Sequence, residues 1–309
     1  MSLTVEMQSD LPARAPAARL PDWSRPDEVA AAIDMIRRHP RFDEARMLAI
    51  RGIVDGFRAM PVLNLVMNDR GRFLFLTAAL GFHVDPDPNG NGLLPSRLLA
   101  FCEEGAVCSR GRAKAMLAAL RWAGYLDPAP PTGDGRARPL VPTESMMRMV
   151  RDRWRAQIRI AAVIEPAIEA AGSALEEDPI FVCYMARAYI AMFRQGFRLL
   201  DHSPALKPLA ERNAGIPILL MTYLAAREAT PPPSIAALSR RFGVSRAHVR
   251  ETLRAAQNDG LLASDGDAGD IGNFAALDDN IADFFAATLL TFIGTSTSAL
   301  AERAGAGGG

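Results

Sequence analysis

Two stretches of this 309-residue chain carry one pattern at an offset of 136. In the first, Ser109 opens a helical run that stops at Gly124 and is followed by Tyr125-Leu126. In the second, Ser245 opens a run that stops at Gly260 and is followed by Leu261-Leu262. The offset lays Arg110 on Arg246, Arg112 on His248, Lys114 on Arg250 and Leu117 on Leu253. Serine is a favoured N-cap, and glycine is favoured where a helix ends in the left-handed conformation. The chain is therefore constrained to build two similar helical units and to bury both.

The second copy shows what such a unit contains. Ser234 caps a short helix with Ile235, Ala236, Leu238 and Phe242 on its apolar side. Gly243 suits a turn that needs a positive φ. Ser245 then caps a second helix whose Val249, Leu253 and Ala256 face a core, leaving Arg246, His248, Arg250 and Arg254 toward solvent. Asp259-Gly260 ends it, and a strand is expected to follow. This is the pattern of a helix-turn-helix whose second helix enters a DNA major groove.

GVSRAHVRETL (Gly243 to Leu253) followed by DGLL (Asp259 to Leu262) resembles the winged-helix signature of GntR-type bacterial repressors. The wider architecture resembles MarR-type regulators. The resemblance implies that Ser245, Arg246 and Arg250 touch DNA. Through the internal repeat it adds Ser109, Arg110, Arg112, Lys114 and His248 as candidate DNA contacts. The first copy departs from the signature: Gly111 sits inside its helix and no "VRE" is present, but no acidic residue occurs from Ser109 to Leu126. After it, Tyr125–Ala129 and Ala137–Val141 can pair as wing strands around PPTGDG. Arg136 and Arg138 then lie where a wing meets phosphate or a minor groove.

The rest of the chain reads as two parallel series. Helices are expected from Asp27 to Arg38, from Phe42 to about Met60, from Phe73 to Phe82 and from Leu98 to Cys102. After the first wing, Thr143 caps a long helix to about Ile164. Pro166 interrupts it. The second series gives helices over Pro179–Leu200, Ile216–Ala226 and about Asp279–Leu300. The expected division is a flexible segment 1–26, a first repeat 27–165 with a winged helix at about 73–143, a second repeat 166–303 with a winged helix at about 216–278, and a flexible tail 304–309. The expected fold class is mainly α: two winged helix-turn-helix units with small β wings, joined by long helices into a single-chain pseudo-dimer.

Charge separates the two copies. After the second recognition helix come Asp265, Asp267, Asp270, Asp278, Asp279 and Asp283, with no Lys or Arg between Arg254 and Arg303. Such an acidic wing would be repelled by phosphate. Formal net charge is zero, so nucleic-acid binding must come from local basic faces.

Other chemistry finds little footing. His39, His83, His202 and His248 are scattered, with no HExxH pair and no Cys/His zinc spacing. Cys102, Cys108 and Cys183 read as reduced thiols of a cytoplasmic protein. Asp85, Asp87, Asn89 and Gly90 match the opening of a calcium loop, but Ser96 stands where the bidentate Glu is needed. No phosphate loop is present, and no apolar run reaches the roughly 18 residues that span a bilayer. No enzymatic activity, metal, cofactor or membrane partner is expected. Phe181, Tyr184, Met185, Tyr189, Met192, Phe193 and Phe197 fit an interface core and leave room for a small lipophilic or aromatic effector. The expected function is a sequence-specific double-stranded DNA-binding transcription regulator, most simply a repressor on a pseudo-palindromic site, acting as a monomeric pseudo-dimer or a homodimer. The alternatives are a plasmid-type replication initiator and a tandem winged-helix protein-interaction module.

Overall fold

Asp69, Ser109, Thr143, Ser234 and Ser245 each accept a hydrogen bond from the backbone N–H three residues on, closing the first turn of a helix. The computed structural model describes residues 20–59, 69–130, 138–263 and 274–306. Its helices are α1 (Pro26–Arg37), α2 (Phe42–Ala59), α3 (Arg70–His83), α4 (Pro95–Glu104), α5 (Arg110–Trp122), α6 (Glu144–Ala161), α7 (Glu169–Glu177), α8 (Phe181–Arg194), α9 (Lys207–Ala210), α10 (Gly215–Arg227), α11 (Ile235–Phe242), α12 (Arg246–Asn258) and α13 (Phe274–Ala306). Between α5 and α6, strands β1 (Leu126–Pro128) and β2 (Leu140–Pro142) pair antiparallel, Leu126 opposite Pro142. The protein is mainly helical with this small two-stranded sheet.

The repeat is visible in the backbone. Ser109 and Ser245 cap α5 and α12 with nearly the same dihedrals, φ −64° and ψ 152° against φ −68° and ψ 153°. Gly124 and Gly260 close them at φ 71° and φ 72°. The next residue's N–H then returns to the helix at 2.9 Å in both copies, Tyr125 to the Leu120 carbonyl and Leu261 to the Ala256 carbonyl. This is the left-handed helix ending that glycine permits.

The two series do not pack as separate bodies. Helix α3 of the first packs along α8 of the second, and reciprocally α10 of the second packs on α2 of the first. Likewise α1 lies on α13, while α7 lies on α6, and α6 and α13 meet each other. One core joins residues of α1, α3–α6, α7 and α8 to Ala282, Ala286, Leu289 and Ile293 of α13. A second joins α10, α11 and α12 to Ala49, Ile50 and Val54 of α2 and to Leu277, Ile281 and Phe285 of α13. Helix α13 runs through both.

Several expectations need correction. The helix over Pro179–Leu200 ends at Arg194, because Gly196 takes φ 106° and the chain turns through short 3-10 segments at Leu199–His202 and Pro204–Leu206. The last helix is longer than expected, a single rod of 33 residues. By length and composition, Phe274–Gly305 is apolar enough to cross a membrane, which contrasts with the absence of a continuous apolar run. Its most apolar window is 61% buried inside the protein. Thr and Ser interrupt the string of apolar residues but bond back to their own helix, as Thr288, Thr291 and Thr295 do to the carbonyls four residues earlier. Asp278, Asp279 and Asp283 are not part of an acidic wing. They lie on α13 and pair with first-series arginines: Asp279 and Asp283 with Arg37, and Asp278 with Arg46.

Asp278 is the hub of a network that ties α2, α10 and α13 together. It accepts from the Tyr223 hydroxyl at 2.5 Å, from Arg46 at 3.1 Å and from Arg227 at 3.2 Å. Asp43 pairs with the same two arginines. Burial alone would raise the Asp278 carboxyl; the Tyr223 hydrogen bond and the Arg46 and Arg227 charges outweigh it and hold the pKa below the ordinary value. Tyr223 is pushed up to about 12, by burial first and then by Asp278.

Candidate nucleic-acid interface

Helix α12 is seated by Val249, Thr252, Leu253 and Ala256, all buried. That face is set by 3.6-residue periodicity and leaves Ser245, Arg246, Arg250 and Arg254 exposed on the other side. None of the three arginines makes an ion pair among the described residues. Glu251 is the only acid on the helix. Gly243, at φ 66°, turns α11 into α12, and the Ser239 hydroxyl closes the turn by donating to the Val244 carbonyl at 2.7 Å.

Helix α5 is seated by Ala113 and Leu120 and has no acid at all. Its exposed side carries Ser109, Arg110, Lys114 and Arg121. Arg110 is bound to Glu103 of α4 at 2.8 Å, whereas Lys114 and Arg121 have no ion pair among the described residues. Lys114 and Arg250, matched by the repeat, therefore share one placement: the fourth position after the cap residue's successor, solvent-facing and unpaired.

Two candidate contacts are already engaged within the protein. The Arg112 guanidinium donates to Asp69 at 2.7 Å, and Asp69 is itself the cap of α3. His248 bonds the Asn213 carbonyl at 2.7 Å, just before α10. These positions coincide under the offset of 136, and each pins its helix to the start of the apolar helix beneath it. Sequence spacing put them on the solvent side of the helix. It could not show that the neighbouring chain end reaches them there. Both stay candidate DNA contacts, with their side chains already engaged by Asp69 and by the Asn213 carbonyl.

The flanks of the two helices differ. Behind α5 the strands β1 and β2 are joined to the body by a bridge from Leu140 to Leu93, whose carbonyl accepts the Leu140 N–H at 2.8 Å. The Thr143 hydroxyl donates to the Gly124 carbonyl at 2.8 Å, locking the end of the sheet to the end of α5. Arg138 precedes β2 and is exposed. Arg136, the other expected wing arginine, lies outside the described residues, as do Asp265, Asp267 and Asp270. The strand expected at Leu261-Leu262 is not formed: both side chains are buried in the second core, and the chain bends there.

Trp122, at the C-terminal end of α5, is not singled out by cap or repeat patterns. It is 87% exposed beside Arg121. Its signal was available: it falls two residues after the buried Leu120, off the seated face. Of the aromatic and Met residues considered for an effector, Phe181, Met185, Met192 and Phe197 are buried core, Tyr184 lies under Arg187, and Tyr189 and Phe193 border a cavity. The loop at Asp85–Gly92 is a turn closed on itself, with Asp87 accepting the N–H groups of Asn89 and Asn91.

No family model, no curated protein and no solved structure matches this chain.

Proposed function

We propose that this chain is a sequence-specific double-stranded DNA-binding transcription regulator, built as a single-chain pseudo-dimer of two winged helix-turn-helix units. One observation carries the reading: α5 and α12 are two identically capped, identically terminated helices, each seated on its own core and each presenting unpaired cations outward. A second helix held this way can lie in a major groove and use its N-terminal residues on base edges. Arg246 and Arg250 are free to read bases, since an arginine can address guanine through two parallel hydrogen bonds. Lys114, Arg121 and Arg138 suit phosphate, which fixes register but carries no sequence information. The reciprocal packing of α2 on α10 and α8 on α3 supports the pseudo-dimer, because it holds the two units in one body. A DNA target of this kind places the protein in the cytoplasm of a bacterium, and the reading asks for no catalysis.

Selection of binding sites from a random duplex pool tests this directly. The expected product is one site with two unequal half-sites about one helical turn apart. Enrichment of a short sequence in tandem copies would instead favour a replication initiator. No enrichment, with weak binding that salt abolishes, would remove sequence-specific DNA binding and leave the protein-interaction reading.

A further inference from the structure

Between the two series lies a cavity of about 230 Å³, walled by residues of α3, α6, α8, α10 and α13. Its walls are mainly apolar, but among the described residues four arginines line it, Arg70, Arg153, Arg198 and Arg212, against a single acid, Asp69. Three of these five charged groups are already committed. Asp69 is bound to Arg72 and Arg112. Arg70 pairs with Glu211 at 3.2 Å. Arg198 donates to the Phe193 and Phe197 carbonyls, its guanidinium 3.5 Å from the centre of the Phe193 ring. The side chains of Arg153 and Arg212 have neither an ion pair nor a hydrogen bond among the described residues. Burial pushes the Arg153 pKa below the ordinary guanidinium value. A guanidinium lining a mainly apolar cavity without a counter-charge is unfavourable, and a bound anion would relieve it.

We propose that this cavity binds an amphipathic carboxylate, its acid group held by Arg153 and Arg212 and its apolar body lying against Phe73, Trp154, Phe284 and Phe292. Guanidinium forks match carboxylates in two-point geometry, and the aromatic faces among the remaining walls suit an apolar body. An apolar cavity of roughly 150 Å³ accepts benzene, so this one admits a one- or two-ring acid or a medium-chain fatty acid. The regulatory part of the inference rests on the DNA-binding reading. Asp69, in the cavity wall, holds Arg112 of α5, and Asn213, next to Arg212, holds His248 of α12. One ligand thus touches the support of α5 directly and the residue next to the support of α12, and any change it makes to DNA affinity must be returned as an equal change in its own affinity.

The test is calorimetric titration of the full chain with 1-naphthoate and with decanoate, beside the neutral 1-naphthylmethanol. One saturable site is expected for an acid, with the alcohol at least about tenfold weaker. Arg153→Gln should weaken the acid at least about tenfold, and Arg153→Lys should restore part of it. The unliganded Arg153→Gln protein should melt no lower than wild type, because it loses an unpaired charge; a structural arginine would give the opposite. Neither acid binding, the alcohol binding equally well, or Arg153→Gln binding unchanged would each overturn the site. Acid binding that leaves affinity for the selected DNA untouched would overturn its regulatory role alone. Failure of DNA selection would leave the calorimetry unaffected, so the two readings fail separately.

Discussion

In the helix pairs α4–α5 and α11–α12 the second helix begins on a serine cap and ends on a glycine, but the pairs are anchored and armed differently. Beneath the first, aromatic edges meet: Phe82 with Phe101, Phe101 with Phe193, and Phe73 with Tyr189. Beneath the second, the anchor is ionic, with Asp278, Tyr223, Arg46 and Arg227 in one network. Outward, the first unit has a paired sheet, the exposed Arg138 and an Arg110 that is already bound to Glu103. The second has free arginines and no strand among its described residues. On the proposed DNA-binding reading, one unit carries the phosphate-facing parts and the other the base-reading parts. The asymmetry teaches that a repeated backbone need not mean a repeated task.

The largest test of that division is on DNA. Each base-reading arginine contributes about 1–3 kcal/mol, so Arg246→Ala with Arg250→Ala should cost the sum of two such contacts and flatten sequence preference in one half-site. Arg110→Ala should cost less than about 1 kcal/mol, since Arg110 must leave an exposed partner of little strength before it can touch DNA. Anisotropy titrations of both variants would break the comparison if Arg110→Ala proved the more damaging.

The anchors give the next effect. Asp278→Ala should destabilise by about 2–4 kcal/mol, somewhat below the loss for a wholly stranded buried charge, because Arg46 keeps Asp43. Its carboxyl has a lowered native pKa, so its contribution is complete above the unfolded value of roughly 4 and fades as pH falls through the native value. Acid should therefore loosen α10–α12 before α3–α5. Hydrogen exchange followed from neutral pH downward reads this directly, and simultaneous loosening would mean that the ionic anchor is not what holds the second unit.

Smaller effects separate the two turns and flanks. Gly243 needs φ 66°, so Gly243→Val should cost about 1–2 kcal/mol. Gly111 is exposed inside α5 with open space where a Cβ would stand, so Gly111→Ala should stabilise by about 0.5–1 kcal/mol. Chemical denaturation checks both signs. Last, Arg138→Ala should lower the slope of log affinity against log salt by about one without altering sequence preference.

Helix boundaries were legible because caps and periodicity are local. Ser109, Thr143, Ser234 and Ser245 could be placed from their neighbours alone, and the glycines at 124, 243 and 260 carry their own conformational reason. What escaped the sequence depended on partners far along the chain. Nothing near Arg112 or His248 reveals that Asp69 and Asn213 reach them, and nothing near Asp278 reveals Arg46 of α2. The same limit hid the cavity: its arginines come from two helices and two connecting segments, and the lack of a counter-charge at Arg153 and Arg212 is a property of tertiary placement.

The crossing of α8 onto α3 and of α2 onto α10 has a consequence for how such a protein can change over time. Two separate subunits sharing helices this way would have to find each other, and a mutation in one gene would appear on both sides of the assembly. Joined in one chain, the halves meet at a high effective concentration set by the connection between them. Assembly no longer depends on how much protein is present, and each half can drift without altering its twin. On the DNA-binding reading, a fused pair of this kind is freed to track an asymmetric target, one base pair at a time.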